Sequence, residues 1–298
     1  MRVLCFGSLN LDYVYPVDHI VRLGETESSS GVSVNCGGKG LNQSVALARA
    51  GVPVWHAGLV GSEGQPLIDK CVQNGVNAEH VHMIEGRSGH TIIQVDKEGN
   101  NSILLFGGAN MCITEEFIDE VISDFEKDDI ILLQNEINLL DIIIEKAYEK
   151  GMKIVLNPSP FNESLKKCDL NKISYFILNE IEGEQMTGIK EPEGILMEMQ
   201  KRYPLAKVVL TLGEEGSLYQ CGKDIYRQSA YKVKAVDTTA AGDTFTGYFI
   251  SSVIKGMKPE EGLDLAAKAS AIAVTRQGAL DSVPTIDEVS RGQTPKGV

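Results

Sequence analysis

At 298 residues, with 43% apolar and 23% charged residues, the chain is long enough for one large core and has an ordinary globular composition. Its formal net charge of -13 argues against a general affinity for nucleic acid or an anionic membrane surface. No apolar run approaches the ~18 residues of a membrane span, "MRVLCFGSLN" enters a strand without a signal-peptide pattern, and the six cysteines contain no CxxC, which favours reduced thiols in a cytoplasmic protein.

The predicted elements alternate strand and helix, with one interruption. "RVLCFG" is a short apolar run, "LNQSVALARAG" a helix closed by Gly51, "PVWHAGLVG" a strand and "PLIDKCVQNG" a helix closed by Gly75. The interruption is "GHTIIQVDKEGNNSILLFGG", two alternating runs around a polar turn, which reads as an antiparallel hairpin. Alternation resumes with helical spacing at Ile118, Val121, Ile122 and Phe125, then "IILLQ", "LLDIIIEKAYEKG", "KIVLNPSP", "ISYFILNE", a helix around Ile195 to Tyr203, and "KVVLTLG". A second hairpin, "GSLYQC" with "DIYRQS", precedes two final helices, "AGDTFTGYFISSVIKG" and "EGLDLAAKASAIAVTRQG". Strands that are apolar throughout and separated by helices imply a doubly wound, mostly parallel sheet covered on both faces. The expected fold is therefore one α/β domain over 1–298 carrying a small antiparallel flap.

In such sheets a ligand lies beyond the carboxyl ends of the strands. Polar residues follow five strands: Asn10 and Asp12; Asn135 and Glu136; Asn157; Asn179 and Glu180; and, after "VVLTL", Gly213. Asp and Asn also serve as turn residues, so each position alone reads as structural, and only the set points to a site. "CGGKGLNQSVALARAG" places glycines and Lys39 at a helix start, where backbone N–H groups and a cation can meet a polar ligand. It matches neither phosphate fingerprint: Ser33 and Gly40 break the P-loop pattern, and Gln43 breaks the dinucleotide pattern. The densest chemistry is "VDTTAAGDTFTGYF". There Thr238 or Thr239 could cap a helix, Ala240, Ala241 and Gly242 are small enough for an anion to touch their amides, and Asp243 falls in the first turn. Asp243 is either a helix-start aspartate or a general base beside an anion hole.

Taken together, "GSLNLD", "GGKGLNQ", "LNEIEGEQMTG", "VDTTAAGDTFTG" and "AVTRQGALDSVP" resemble, in order and over nearly the whole chain, the ribokinase branch of the PfkB carbohydrate kinase family. The resemblance implies a ribokinase-like fold with a β lid drawn from about 12–36 and 88–108, which also supplies homodimer contacts. It implies Mg2+- and ATP-dependent phosphorylation of a sugar hydroxyl, D-ribose to ribose 5-phosphate. Asn10, Asp12, Gly38, Lys39, Asn42 and Glu136 would hold the sugar, the glycines letting the helix start approach a polyol closely. Asp243 would be the base and the amides of Ala240, Ala241, Gly242 and Asp243 the anion hole. Asn179 and Glu182 would organise Mg2+ and its waters; Asn179, Thr211, Gly213, Gly242 and Ala267 would line the nucleotide site. Asp237, Thr239, Ala273, Arg276, Gly278 and Ser282 would form a K+ loop, mainly through backbone carbonyls.

Two features bear on the substrate. His90 and Thr91 stand where small apolar lid residues are usual and Phe106 where a histidine is frequent, all expected at or beside the sugar-covering side. This leaves a fructokinase-like or nucleoside kinase-like activity, or a non-catalytic sugar-binding regulator, as alternatives. The related fructose-1-phosphate and tagatose-6-phosphate kinases share GGKG, but their first strand resembles T-L-N-P where this chain has "GSLNLD". An oxidoreductase would need G-x-G-x-x-G after that strand, and it is absent.

Overall fold

The computed structural model describes residues 1–292, so the last six residues of the expected 1–298 domain lie outside it. The first apolar run forms β1 (Val3–Phe6), followed by β2 (Asn10–Pro16) and β3 (Ser33–Gly37). Then come α1 (Lys39–Arg49), β4 (Val54–Val60), α2 (Gln65–Gln73), β5 (Asn77–Met83), β6 (Gly89–Val95) and β7 (Asn101–Phe106). The alternating series continues as α3 (Glu115–Ser123), β8 (Ile130–Gln134), α4 (Leu140–Lys150), β9 (Lys153–Asn157), β10 (Tyr175–Asn179), α5 (Glu180–Thr187), α6 (Pro192–Arg202) and β11 (Lys207–Thr211). It ends with β12 (Ser217–Cys221), β13 (Asp224–Gln228), α7 (Ala241–Ile254), α8 (Pro259–Ala273) and α9 (Ile286–Ser290).

Nine strands make one sheet in the order β13-β12-β11-β10-β9-β8-β1-β4-β5. It is parallel from β5 to β11, and the hairpin β12–β13 is antiparallel, as its sequence predicts. Burial on both faces follows from the alternation of side chains. Val3 and Cys5 of β1 join a core with Leu41 and Val45 of α1 and Tyr248 and Phe249 of α7. Leu4 and Phe6 join the opposite core with Ile118 of α3, Ile143 of α4 and Leu196 of α6. Each such side chain contributes roughly 1.5–3 kcal/mol when fully buried. Successive strands run from β1 outward through β4 to β5, then from β8 outward in the other direction. The topological switch is thus between β1 and β8, which is where a crevice opens in sheets of this kind.

A separate four-stranded sheet has the order β3-β2-β6-β7. Its strands come from the two segments expected to form the lid, and β6–β7 is the predicted antiparallel hairpin. The pairing of β2 with β6 is parallel, so this sheet is mixed rather than purely antiparallel. Asp12 stands opposite Thr91 and Leu11 opposite His90 in that register. Strand β5, unassigned in the sequence, is the other addition: it is an edge strand paired only with β4, and just His80 and Val81 of it are buried.

Helices α1 and α7 touch where Gly247 faces Ala46; a Cβ on Gly247 would come within 2.4 Å of the Ala46 Cβ and 2.8 Å of the Leu47 nitrogen. Only glycine permits that approach. It lays the starts of the two helices side by side at the mouth of the sheet.

Candidate active site

The turn after β1 and the turn after β8 meet at the topological switch. The Ser8 hydroxyl donates to Glu136 Oε2 at 2.5 Å, and the Lys39 amide donates to the same oxygen at 3.1 Å. Ser8 Oγ also accepts from the Gly40 amide at 3.2 Å. The start of α1 is therefore bound to both strand ends. Its glycines serve this contact: a Cβ on Gly40 would lie 2.5 Å from the Ser8 nitrogen, and one on Gly38, at φ 97°, would lie 3.0 Å from the Ser8 carbonyl oxygen. The chain's own backbone by itself already requires glycine at both positions.

Asp243, buried in the first turn of α7, accepts from Asn42 Nδ2 at Oδ2 and from Gln43 Nε2 at Oδ1, both at 2.9 Å. Gln43 also donates to Asn157 Oδ1 at 3.1 Å and accepts from Gln134 Nε2 at 2.7 Å, while Asn157 donates to the Ile177 carbonyl. A chain of amides from α1 and the ends of β8 and β9 thus holds one carboxylate. Lys39 lies in the same field: burial opposes its charge, but Asp243, Glu136 and Glu182 outweigh it and hold the ammonium above the ordinary lysine range. No carboxylate of the described residues is within ion-pair distance of it, which leaves the ammonium available to a ligand. Burial pushes the Glu136 carboxyl above the usual range, against the Lys39 charge and the bonds from Ser8 and the Lys39 amide.

On the lid side, Asn110 donates to Asn10 Oδ1 at 2.7 Å and accepts from the Leu9 amide at 3.0 Å, which leaves the Asn10 amide group as a donor. Asp12 accepts from the Thr91 hydroxyl at 2.5 Å. Burial, opposed by that bond and reinforced by Glu136, raises its carboxyl to about 6. Thr91 therefore belongs to the Asp12 face of the lid. His90 and Phe106 do not: they pair across β6 and β7, their rings lie 5.0 Å apart, and His90 also packs on Tyr13 at 5.9 Å. They lie on the face of the sheet opposite Asp12 and Thr91, since one residue of shift along a strand changes faces.

The start of α7 departs from the predicted cap. Ala240 occupies the cap position in the left-handed region, φ 59°, and no side chain caps the helix; neither Thr238 nor Thr239 does so. Instead Asp237 accepts from the Thr239 amide at 2.9 Å and the Gly278 amide at 3.0 Å, tying the segment before α7 to the one after α8. Burial would raise the Asp237 carboxyl, but those bonds bring it below the usual aspartate range. The Ala241 amide is spent on the Thr238 carbonyl at 3.2 Å, so it drops out of the expected anion hole. The Gly242 and Asp243 amides, in the first turn, have no helical partner to donate to. A Cβ on Gly242 would meet nothing within 4 Å, so this glycine faces open space.

The remaining expected residues divide. Asn179 and Glu182 form a reciprocal capping box on α5, at 2.8 and 3.1 Å, which alone would account for both residue types. Thr211 ends β11 opposite Asn179 in the sheet, Gly213 follows two residues on, and Ala267 is buried on α8. Ala273 accepts from the Arg276 amide at 3.0 Å, Ser282 is fully buried, and the Arg276 side chain is paired with Glu288 at 2.6 Å, which leaves only its backbone for an ion. Asn135 belongs to the scaffold, donating to the Pro160 carbonyl and accepting from Ser164. Sequence reading missed Ser8, Asn110, Gln134 and the role of Gln43; the signal for Gln43 was its place directly after Asn42 in "GGKGLNQ".

The family model "pfkB family carbohydrate kinase" matches residues 1–286. A curated ribokinase of Bacillus subtilis is 33% identical over 294 residues, 97% of this chain and 98% of its own. A deoxyribokinase of Salmonella typhi is 30% identical over 299 residues, covering 97% of each chain. The structure of an Arabidopsis thaliana ribokinase complexed with ribose and ATP superposes with a TM-score of 0.85 at 28% identity, covering 97% of each chain. With a carboxylate clamped between two helix starts at the switch point of a doubly wound sheet, and with the family model spanning all but the C-terminus, the chain belongs to the pfkB family of carbohydrate kinases.

Proposed function

We propose that this kinase transfers the γ-phosphate of ATP to the 5-hydroxyl of D-ribose. The observation that carries the reading is Asp243, buried, held at both oxygens by Asn42 and Gln43, in a first helical turn whose Gly242 and Asp243 amides have no helical partner. Its carboxylate takes the proton of the sugar hydroxyl; that oxygen attacks the γ-phosphorus, and the bond to the ADP oxygen breaks. The Gly242 and Asp243 amides stabilise the charge that develops on the transferring group. Asn10 donates to the sugar, Asp12 and Glu136 accept from its hydroxyls, and Lys39 and Asn42 border the reacting position. Asn179, Thr211, Gly213, Gly242 and Ala267 line the nucleotide side.

Glu182 keeps Oε1 outside the capping box, so it and Asn179 suit a water-mediated Mg2+ site. Mg2+ would neutralise phosphate charge there. The two segments joined by Asp237 suit K+ held by carbonyls of Asp237, Thr239, Ala273, Arg276, Gly278 and Ser282. K+ would set a positive charge behind the anion hole.

The free cysteines accord with a cytoplasmic enzyme, and the lid, with Ile103, Leu104, Leu105 and Phe106 exposed, accords with a homodimer. A deoxyribokinase relative at 30% identity supports 2-deoxyribose as the second candidate. The test is ATP consumption with ribose, deoxyribose, fructose, other pentoses and hexoses, and nucleosides, with and without K+. Ribose should give the highest kcat/KM. A panel on which no sugar or nucleoside speeds ATP turnover would leave a sugar-binding regulator as the reading.

A further inference from the structure

The strand N-termini, at the far end of the sheet from Asp243, border two adjoining cavities of about 460 and 260 Å³ that share Tyr175, Lys207 and Val253. The larger is of the size that holds a small molecule. Lys153, Tyr175 and Lys207 are the first residues of β9, β10 and β11, so the parallel register sets them along one edge; Lys172 and Tyr148 complete the wall. No Asp or Glu lines either cavity, in a chain with 41 acidic residues against 28 Lys and Arg. Lys172 is neutralised by Glu145 and lies over the Tyr148 ring at 5.3 Å. Lys207 donates to the Tyr175 hydroxyl at 2.9 Å, and among the described residues neither Lys207 nor Lys153 has a carboxylate within ion-pair distance.

Two cations without counter-charge beside two tyrosine rings define a complementary ligand. We infer that this groove binds a small aromatic anion, a phosphate or carboxylate head at Lys153 and Lys207 with a flat body along the exposed ring of Tyr148. The site is separate from the reactive one: α7 carries Asp243 at one end and Val253 at the other, about 15 Å apart at 1.5 Å per residue.

Calorimetric titration of the full chain, with saturating ADP present, tests the proposal with phenyl phosphate, benzoate and neutral phenol as probes. Phenyl phosphate or benzoate should bind once per chain, and whichever binds more tightly identifies the head group. Phenol should bind at least about tenfold more weakly, and Lys153→Met with Lys207→Met should weaken the anions by a similar factor. Lys207→Arg should retain them. Lys153→Glu leaves the Lys207–Tyr175 bond intact and should weaken the anions by at least about tenfold, so a folding defect in the double variant does not obscure the result; ADP binding and Tm report the fold. Absence of binding at millimolar anion, equal binding of phenol, or unchanged affinity in folded Lys153→Glu overturns the proposal.

Discussion

Gln43 and Asp243, 200 positions apart in sequence, are joined by a 2.9 Å hydrogen bond, and the neighbouring Asn42 holds the other carboxylate oxygen. Two consecutive side chains of α1 therefore fix the carboxylate of α7. Asn42 Oδ1 is buried without a partner. In Asp243→Asn the new amide needs an acceptor, and rotation of the Asn42 amide would supply that orphaned oxygen. The variant should stay folded, with stability within about 1 kcal/mol of wild type. Having lost its base, it should lose about 10²- to 10⁴-fold in kcat while keeping ADP affinity. A folded Asp243→Asn enzyme within a few-fold of wild-type kcat would remove Asp243 as the base.

Two glycines at the two helix starts predict opposite outcomes. Gly40→Ala places a methyl 2.5 Å from the Ser8 nitrogen, against backbone that cannot yield cheaply, and should cost about 1–3 kcal/mol with weakened sugar binding. Gly242→Ala meets no protein atom within 4 Å and sits in a helix, so stability should hold or rise by up to about 1 kcal/mol. Its kcat should nevertheless fall if the transferring phosphate passes over residue 242. Melting curves and steady-state kinetics on both variants separate packing from ligand contact; unaltered kcat in Gly242→Ala would place the phosphate elsewhere.

The sheet was legible because β1, β8 and β10 are short apolar runs bounded by turn residues, and both hairpins because alternation and polar turns coincide in them. Strand β5 was not, since "NAEHVHM" has neither a continuous apolar run nor clean alternation and is held only by its partner β4. The cap of α7 was misread for a tertiary reason: Asp237 takes the Thr239 amide and the Gly278 amide, and the chain enters the helix through a left-handed Ala240. Within the site, Asp243 and Asn42 stood out by motif, whereas Asn110 is recognisable only once the fold brings it to Asn10 from 100 positions away.

The lid offers a test of assembly. On β7, a strand at the edge of its sheet, Ile103 is 58% and Leu104 66% exposed, although they point to opposite faces. An apolar edge with both faces open suits the proposed homodimer. Ile103→Glu with Leu104→Glu should convert a dimer to a monomer in sedimentation at micromolar concentration, with Tm of the main sheet little changed. A wild-type chain that is monomeric and fully active at that concentration would contradict the dimer.

Asp12 predicts a pH dependence with a definite sign. Its folded carboxyl is raised to about 6 from 3.8, first by burial, then by Glu136, with the Thr91 bond opposing. The native state thus binds the proton more tightly than the unfolded chain, and stability is lost as pH rises from 3.8 to about 6. His56 runs the other way: buried and lowered to about 4 from 6.5, it withdraws stability as pH falls between those values. Comparison with Asp12→Asn isolates the first effect, because His56 is common to both proteins. The variant should be more stable than wild type above pH ~6, by about 1–2 kcal/mol, and gain nothing below pH ~4. Sugar affinity should follow the ionised form, since a carboxylate accepts from two hydroxyls where an acid accepts less well. In wild type it should strengthen as pH rises through ~6, and in Asp12→Asn it should be weaker and lose that step. Urea melts from pH 4 to 8 and calorimetric sugar titrations from pH 5 to 7 measure the two arms. A variant less stable than wild type at pH 8 would show that the buried charge is already compensated, and a flat wild-type affinity would detach Asp12 from the sugar.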